Sequence, residues 1–315
     1  MPFTNNQNTI QSLEILLMPS PAPRLRCREI LTDDLGGLIE LLHRGFPEQQ
    51  CEHWARALKR LEAHATPAGY PKFGYLLESD GKLVGTILVI FSSRYVNGEQ
   101  RIRGNVASWY VEPAFRGYAA LLTQHALAHK NATFLNISPA QNTWPILKAQ
   151  GFVQFATGQF KALAALGSTP RGSRVSPVSP DIQPDQDLSA AEITLLLDHM
   201  NYGCISVTCN VANRRLPFIF SRRWHAWKSA YVPFSISLPY ALLVYCRDIT
   251  DFVQFAAPLG QFLIRRGMPM VFIDSNGPIP GLVGKFSVTG PKFYRGPQAP
   301  TLGDVSYTEW VMFCT

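Results

Sequence analysis

Apolar positions in the first half of the chain change period repeatedly, and each change marks an element. Leu25 to Ile30 alternates as a strand. Thr32-Asp33-Asp34 then caps a helix that carries Leu35, Leu38, Ile39, Leu41 and Leu42 on one side, ended by Phe46-Pro47. Glu52 to Ala63 repeats the helical period through Trp54, Ala57, Leu58 and Leu61. Phe73–Glu78 and Leu83–Phe91 flank Ser79-Asp80-Gly81-Lys82, a strong hairpin signal. Val106 to Val111 is β-branched and aromatic, and Pro113, which lacks an N–H, stops it. Ala119, Leu122, Ala126 and Leu127 return to helical spacing. Ala132 to Ile137 is a strand, Asn142 to Gln150 a short helix, and Gly151-Phe152 opens one return strand to about Lys161.

Composition changes after that. Gly167 to Asp187 carries Pro170, Pro177, Pro180 and Pro184 among Ser, Gly and Asp, the make-up of a stiff, extended linker. Beyond it the chain reads as a worn copy of its first half. Ala132–Pro139, Gly151-Phe152 and Thr157–Lys161 find counterparts, in the same order, in Pro269–Asn276, Lys285-Phe286 and Thr289–Phe293. Tyr240 to Cys246 stands for the strand at 106–111, and Asp251 to Arg266 for the helix after it. The expected organisation is therefore a tail at 1–23, a first domain at 24–166, a linker at 167–187 and a second domain at 188–315. Residues 1–166 are expected to fold around their own sheet, and Val305–Phe313 to form an apolar final strand.

At 46% apolar and 16% charged residues, the chain has ample core material for an α/β fold of two halves. The formal charge of +7 favours anionic ligands, but the basic residues form only isolated pairs such as Arg222-Arg223 and Arg265-Arg266. No nucleic-acid partner is expected. Ile10 to Met18 is too short to span a bilayer and no cation precedes it, the first being Arg24. Cysteines 27, 51, 204, 209, 246 and 314 are scattered and mostly in apolar surroundings, as expected for free thiols of a cytoplasmic protein. His125 and His129 are one helical turn apart without a third ligand nearby, so no metal site is expected.

Candidate chemistry gathers between the strand at 106–111 and the helix after it. A strand-to-helix junction directs free backbone N–H groups and the positive end of the helix dipole at one spot. Gly117 allows close approach to the backbone there and Arg116 adds a charge, which suits a phosphate or pyrophosphate. Val111, Glu112-Pro113 and Phe115-Arg116-Gly117-Tyr118-Ala119, leading into an apolar helix, resemble the acyl-CoA signature of the GNAT (Gcn5-related) N-acetyltransferases. The family pattern is Gln/Arg-x-x-Gly-x-Gly/Ala. Counted from Ala114 the register supplies Gly117 and Ala119 without the leading cation, and counted from Arg116 the small positions hold Ala119 and Leu121. Element order over residues 25–163 also resembles the family, and the whole chain resembles tandem GNAT-like proteins with a degenerate second half.

The resemblance implies a GNAT-like mixed twisted sheet with flanking helices, present twice. It implies acetyl-CoA or another acyl-CoA held by Val111, Arg116, Gly117, Tyr118, Ala119 and Ala120, with the acyl group passed to an amine of a small-molecule acceptor. No Arg-Gly-small run follows Cys246, so one acyl-CoA per chain is expected. The family's usual acid position is Leu147 in this chain, leaving Tyr118, Tyr110 and Ser108 as stand-ins, each also readable as structural. Asn105 is a further polar residue on the same strand, and Glu112 reads as a loop former. Trp144 is a candidate wall of the acceptor cleft or a core anchor. Glu309, a charge in an apolar stretch, is a candidate amine-binding group or a solvated edge carboxylate. Asp274 and Asn276 read as turn formers. Two other readings use the same residues: a non-catalytic scaffold that binds acyl-CoA or a partner, and an O-acyltransferase acting on a saccharide or lipid precursor.

Overall fold

The computed structural model describes residues 24–96, 99–211, 214–229 and 232–313, so the expected tail and Cys314 lie outside the described residues. The first half runs β1 (Leu25–Glu29), α1 (Leu35–Gly45), α2 (Cys51–Ala63), β2 (Gly74–Ser79), β3 (Lys82–Val96), β4 (Glu99–Val111), α3 (Ala119–Ala126), β5 (Ala132–Asn136), α4 (Trp144–Ala149), β6 (Val153–Ala156) and β7 (Gly158–Ala162). The order follows the hydrophobic pattern up to β6. At the β2–β3 hairpin, Asp80 and Gly81 take φ of 47° and 78°, the left-handed pair that a two-residue turn between right-twisted strands requires.

The second half runs β8 (Arg174–Pro177), α5 (Ala190–Asn201), β9 (Ile205–Val211), β10 (Arg214–Ser229), β11 (Val232–Tyr245), α6 (Ile249–Gln254), α7 (Ala256–Ile264), β12 (Val271–Ser275), β13 (Gly284–Ser287), β14 (Lys292–Arg295) and α8 (Glu309–Met312). The stretch read as a linker thus contains an edge strand, β8, paired antiparallel with β9. The helix read across Asp251–Arg266 is broken in two. Pro258 has no N–H to give, and its ring would collide with the carbonyl of Gln254, where α6 ends.

Two seven-stranded mixed sheets result, ordered β1-β2-β3-β4-β5-β14-β6 and β13-β7-β12-β11-β10-β9-β8. The halves trade strands. The single return strand expected to Lys161 divides at Thr157: β6 stays in the first sheet, while β7 joins the second between β12 and β13. In return β14 crosses into the first sheet and pairs with both β5 and β6. Asn276, read as a turn former, fastens the crossing. Its Oδ1 accepts the Thr157 N–H at 2.8 Å and its Nδ2 donates to the Phe155 carbonyl at 3.0 Å. Asp274 is not a turn former; it is a buried partner of Lys292 at 2.7 Å, which brings β12 and β14 together.

The hydrophobic cores cross the same boundary. Phe293 of β14 is buried with Phe134 and Leu147, and Phe160 of β7 with Phe218 and Leu259. A third cluster joins Leu38, Trp54 and Leu58 to Leu196, Val244, Met312 and Phe313. Residues 1–166 therefore do not close a sheet of their own: they lack β14, and their β7 has its partners in the other half. The expected final strand is also replaced. Only the segment at Gly303–Val305 pairs with β11; Tyr307 then adopts φ 54° and the chain turns into α8.

Candidate active site

β4 and β5 run parallel only from Ile102↔Ala132 to Asn105↔Leu135, and beyond that pair they splay. A bulge on β4 helps to open them: Thr86 pairs with Tyr110 but Leu88 with Ala107, and Ser108 within the irregularity takes φ 48°. The mouth of the splay is a cleft of about 330 Å³ lined by Val106, Ser108, Trp109, Ser138 and Thr143, with Glu48, His53 and Trp54 from the α1–α2 side. Glu309 and Trp310 of α8 close it from the second half.

Glu309 is held at two points. Its N–H donates to Asn105 Oδ1 at 2.7 Å, and its Oε1 accepts from Ser138 Oγ at 2.7 Å. Asn105 is fixed in turn by donating to the Leu135 carbonyl at 3.3 Å, across the last paired position before the splay. Asn105 is thus a buried positioning residue on the cleft side of β4. The other carboxylate oxygen, Oε2, is buried without a hydrogen-bond partner among the described residues. Burial pushes the Glu309 pKa up to about 7, with the hydrogen bond from Ser138 opposing part of the rise. The indole nitrogens of Trp54 and Trp109, two further lining residues, are also buried and have no partner among the described residues. The residues that carry these three buried polar atoms all line the one cleft, a concentration that calls for an explanation.

The junction after β4 differs from an open loop. Pro113–Tyr118 winds as a 3₁₀ helix leading into α3, with Phe115 N–H donating to the Glu112 carbonyl and Ala119 N–H to that of Arg116. Arg116, Gly117, Tyr118 and Ala120 are exposed, and Ala119 half-buried. A Cβ built on Gly117 meets nothing within 4 Å, and its φ is an ordinary one, so the chain's own packing does not require glycine here. Glu112 is ion-paired to Arg44 at 3.0 Å, a loop contact.

Ser108 lines the cleft, but Tyr110 and Tyr118 do not. The Tyr110 ring lies against the backbone of Gly45, where a Cβ would come within 2.4 Å of it, and beside Phe46. Trp144 donates from Nε1 to the Pro139 carbonyl at 3.2 Å and packs beside Phe293, outside the cleft lining. Leu147, at the family's acid position, is buried in the core. His125 and His129 diverge: one bonds the Leu121 carbonyl and the other the Tyr75 hydroxyl. Among the described residues no group of three ligand side chains could hold a metal. Among the described residues no helix is long and apolar enough to cross a membrane. The five described cysteines are unpaired.

The equivalent splay in the second sheet is filled. β11 and β12 pair only at Ala241↔Val271 and Leu242↔Phe272. Beyond them the β11 edge is taken by the C-terminal segment: Val305 N–H donates to the Val244 carbonyl and Cys246 N–H to that of Gly303. Asp304 in this segment is a deep anchor that the sequence did not announce. It pairs with Arg94 and Arg103, each at 2.9 Å, which come from β3 and β4. Burial opposes its charge, but the two guanidiniums hold its carboxyl well below the usual range.

No family model matches the chain, and no curated protein sequence matches it. Solved structures do match its fold. A putative acetyltransferase from Pyrococcus horikoshii aligns with a TM-score of 0.53 at 12% identity, over 91% of this chain and 95% of that one. A GCN5-related N-acetyltransferase from Kribbella flavida gives 0.51 at 14% identity, over 88% and 72% of the two chains. Another from Anabaena variabilis gives 0.50 at 12%, over 86% and 72%. The protein has the GCN5-related N-acetyltransferase fold, with two sheets that fit a duplicated arrangement.

Proposed function

We propose that the protein is an acyl-CoA-dependent acyltransferase that passes an acetyl group from acetyl-CoA to an amine of a small molecule by direct attack on the thioester, in the cytoplasm. The observation that carries this reading is Glu309, a buried carboxylate with pKa about 7 at the mouth of the β4–β5 splay. Acyl-CoA supplies the acyl group as an activated thioester. Residues 24–166 would hold it, with the pantetheine arm along the β4 edge that β5 leaves beyond Asn105 and up to Val111. Its pyrophosphate would lie at Arg116–Ala120, where the open space over Gly117 admits it. Binding there would exchange i→i+3 bonds of the 3₁₀ turn for charge-assisted ones to phosphate.

The chain's own residues then have separable roles. Glu309 takes the proton from the attacking amine through its unpartnered Oε2, and Ser138 and Asn105 hold it in place. A pKa near 7 matches a base that must be ionised at neutral pH yet accept a proton readily. The buried indole N–H groups of Trp54 and Trp109 are donors for polar groups of the bound substrates. Ser108 is the cleft hydroxyl available to protonate the departing thiolate. Residues 188–315 supply the far wall of the cleft. Thiol release from acetyl-CoA with a panel of amines tests the reading. Glu309→Gln is expected to lower turnover by about 10²–10³-fold while leaving CoA affinity unchanged. Turnover at the wild-type rate in that variant contradicts the assignment of the base, and CoA binding with no thiol release to any amine or sugar favours a scaffold.

A further inference from the structure

Near the β3–β4 turn, one face of the first sheet collects positive charge. The antiparallel register sets Arg94 directly opposite Arg101, and the parallel register sets Arg103 beside Thr133 of β5. Residues paired across strands share a face, as do residues two apart on one strand. Arg94, Arg101, Arg103 and Thr133 therefore lie on the same face, and all four line a cavity of about 100 Å³. The segment Gln298–Thr301 and Asp304 complete its walls, and Asp304 is the one acidic residue among the described residues that line it. Arg103 gives both terminal nitrogens to the Asp304 carboxylate, at 3.2 and 2.9 Å. Arg94 gives Asp304 one N–H, at 2.9 Å, and otherwise lies with its guanidinium 5.2 Å from the centre of the Tyr245 ring. Arg101 is paired instead with Glu99, two residues away on its own strand, and both of those side chains are at least half exposed. Such a pair adds little.

Like charges directly opposite one another on a sheet destabilise it. Asp304 offsets one of the three guanidiniums, so the cavity walls carry an excess of two positive charges. A guanidinium has five N–H donors in a planar fork, and those of Arg94 and Arg101 are mostly unspent among the described residues. The Thr133 hydroxyl accepts the Gln298 N–H at 3.4 Å and keeps its own hydrogen to donate. At about 100 Å³ the space is well below the roughly 300 Å³ at which pockets for drug-sized molecules begin. A carboxylate would engage one fork, whereas a tetrahedral dianion offers oxygens to several and matches the excess charge. We infer that this cavity binds a tetrahedral dianion, phosphate or sulfate, either free or as the end of a monoester. It is separate from the junction at Arg116, because β4 runs on from Arg103 to Val111, roughly 25 Å at about 3.3 Å per residue. The bound anion would tie β3 and β4 to the segment that leads through Asp304 to Glu309. The inference requires nothing of the acyltransferase reading.

Titration calorimetry of the full chain with inorganic phosphate, at constant ionic strength, provides the test. A saturable site is expected in the wild type, weakened at least about tenfold in Arg101→Gln, as loss of a charge-assisted contact implies. Arg116→Gln, at the junction after β4, is expected to leave it unchanged. Melting temperatures give a second readout. Without phosphate, Arg101→Gln, an exposed substitution that relieves repulsion, is expected to melt at or above the wild-type temperature. With saturating phosphate the wild type is expected to melt higher than the variant. Phosphate also stabilises proteins by exclusion from their surface, but that effect acts on both proteins alike. Glycerol 3-phosphate binding more tightly than phosphate would uphold the site and assign it to the phosphoryl group of a metabolite. Equal or weaker binding of the ester would uphold it as a site for the free anion. No saturable phosphate binding, affinity unchanged in Arg101→Gln, or binding lost in Arg116→Gln would overturn the inference.

Discussion

Gly117 shows what a single residue can establish about the site. Its absent side chain fills no need of the fold, since a Cβ there meets open space and the backbone φ is ordinary. The expected result for Gly117→Val is an unchanged melting temperature with CoA affinity reduced about tenfold or more, because a branched side chain would occupy the ligand's approach to the backbone. Calorimetry with CoA reads this, and wild-type affinity in the folded variant would remove the pyrophosphate from this junction. Glu309 teaches the reverse lesson. Its charge in an apolar run was visible in the sequence, but its neighbours were not. Asn105 and Ser138 lie 204 and 171 residues away along the chain, and only the fold brings them to it. For Tyr110 and Trp144 the sequence leaves site and packing roles open, because an aromatic residue near a motif looks the same in sequence whether it lines a cleft or covers a glycine.

Among the elements, the C-terminal segment from Gly303 to Phe313 is the misassigned one that matters most to the site. Its apolar run suggested a strand, yet its role is to plug one splay and furnish the other. His199 of α5 is part of what holds it: buried, with Nδ1–H donating to the Leu195 carbonyl and Nε2 accepting the Tyr307 N–H at 3.2 Å. Burial lowers the His199 pKa to about 3. The unfolded chain, with a histidine pKa near 6.5, binds the proton more readily than the folded one. The stabilisation is therefore complete above about pH 6.5 and is lost as the pH falls toward 3, at up to about 1.4 kcal/mol per pH unit. His199→Gln can still accept from Tyr307 without titrating. Melting temperatures between pH 7.5 and 4.5 are expected to fall more steeply for the wild type than for this variant, and parallel curves would contradict the account. The β1-to-β6 order, by contrast, was legible because each element is set by its own local period. The strand trade at Thr157 was not, because a run such as Val153–Lys161 carries no mark of which sheet receives each part.

Taken whole, the molecule is two similar sheets made unequal by one segment. The lack of an Arg-Gly-small run after Cys246 is one reason to expect a single acyl-CoA. The structure adds a stronger one, since the β11 edge that would receive a second pantetheine arm is already bonded to Gly303 and Val305. Titration with CoA is expected to reach one ligand per chain, and two equivalent sites would contradict the asymmetry. The shared core and traded strands also explain why the second half persists: without it the first sheet lacks β14 and the cleft lacks the Glu309 carboxylate. The central claim is that this carboxylate is the base. The pH dependence of kcat/KM for acetyl transfer to an amine whose own pKa lies outside the range, in the wild type and in Glu309→Gln, tests it most directly. The account predicts a wild-type rate that rises with pH through a midpoint near 7, as Glu309 ionises, and a low rate in the variant without that step. The same midpoint and amplitude in both proteins would contradict it.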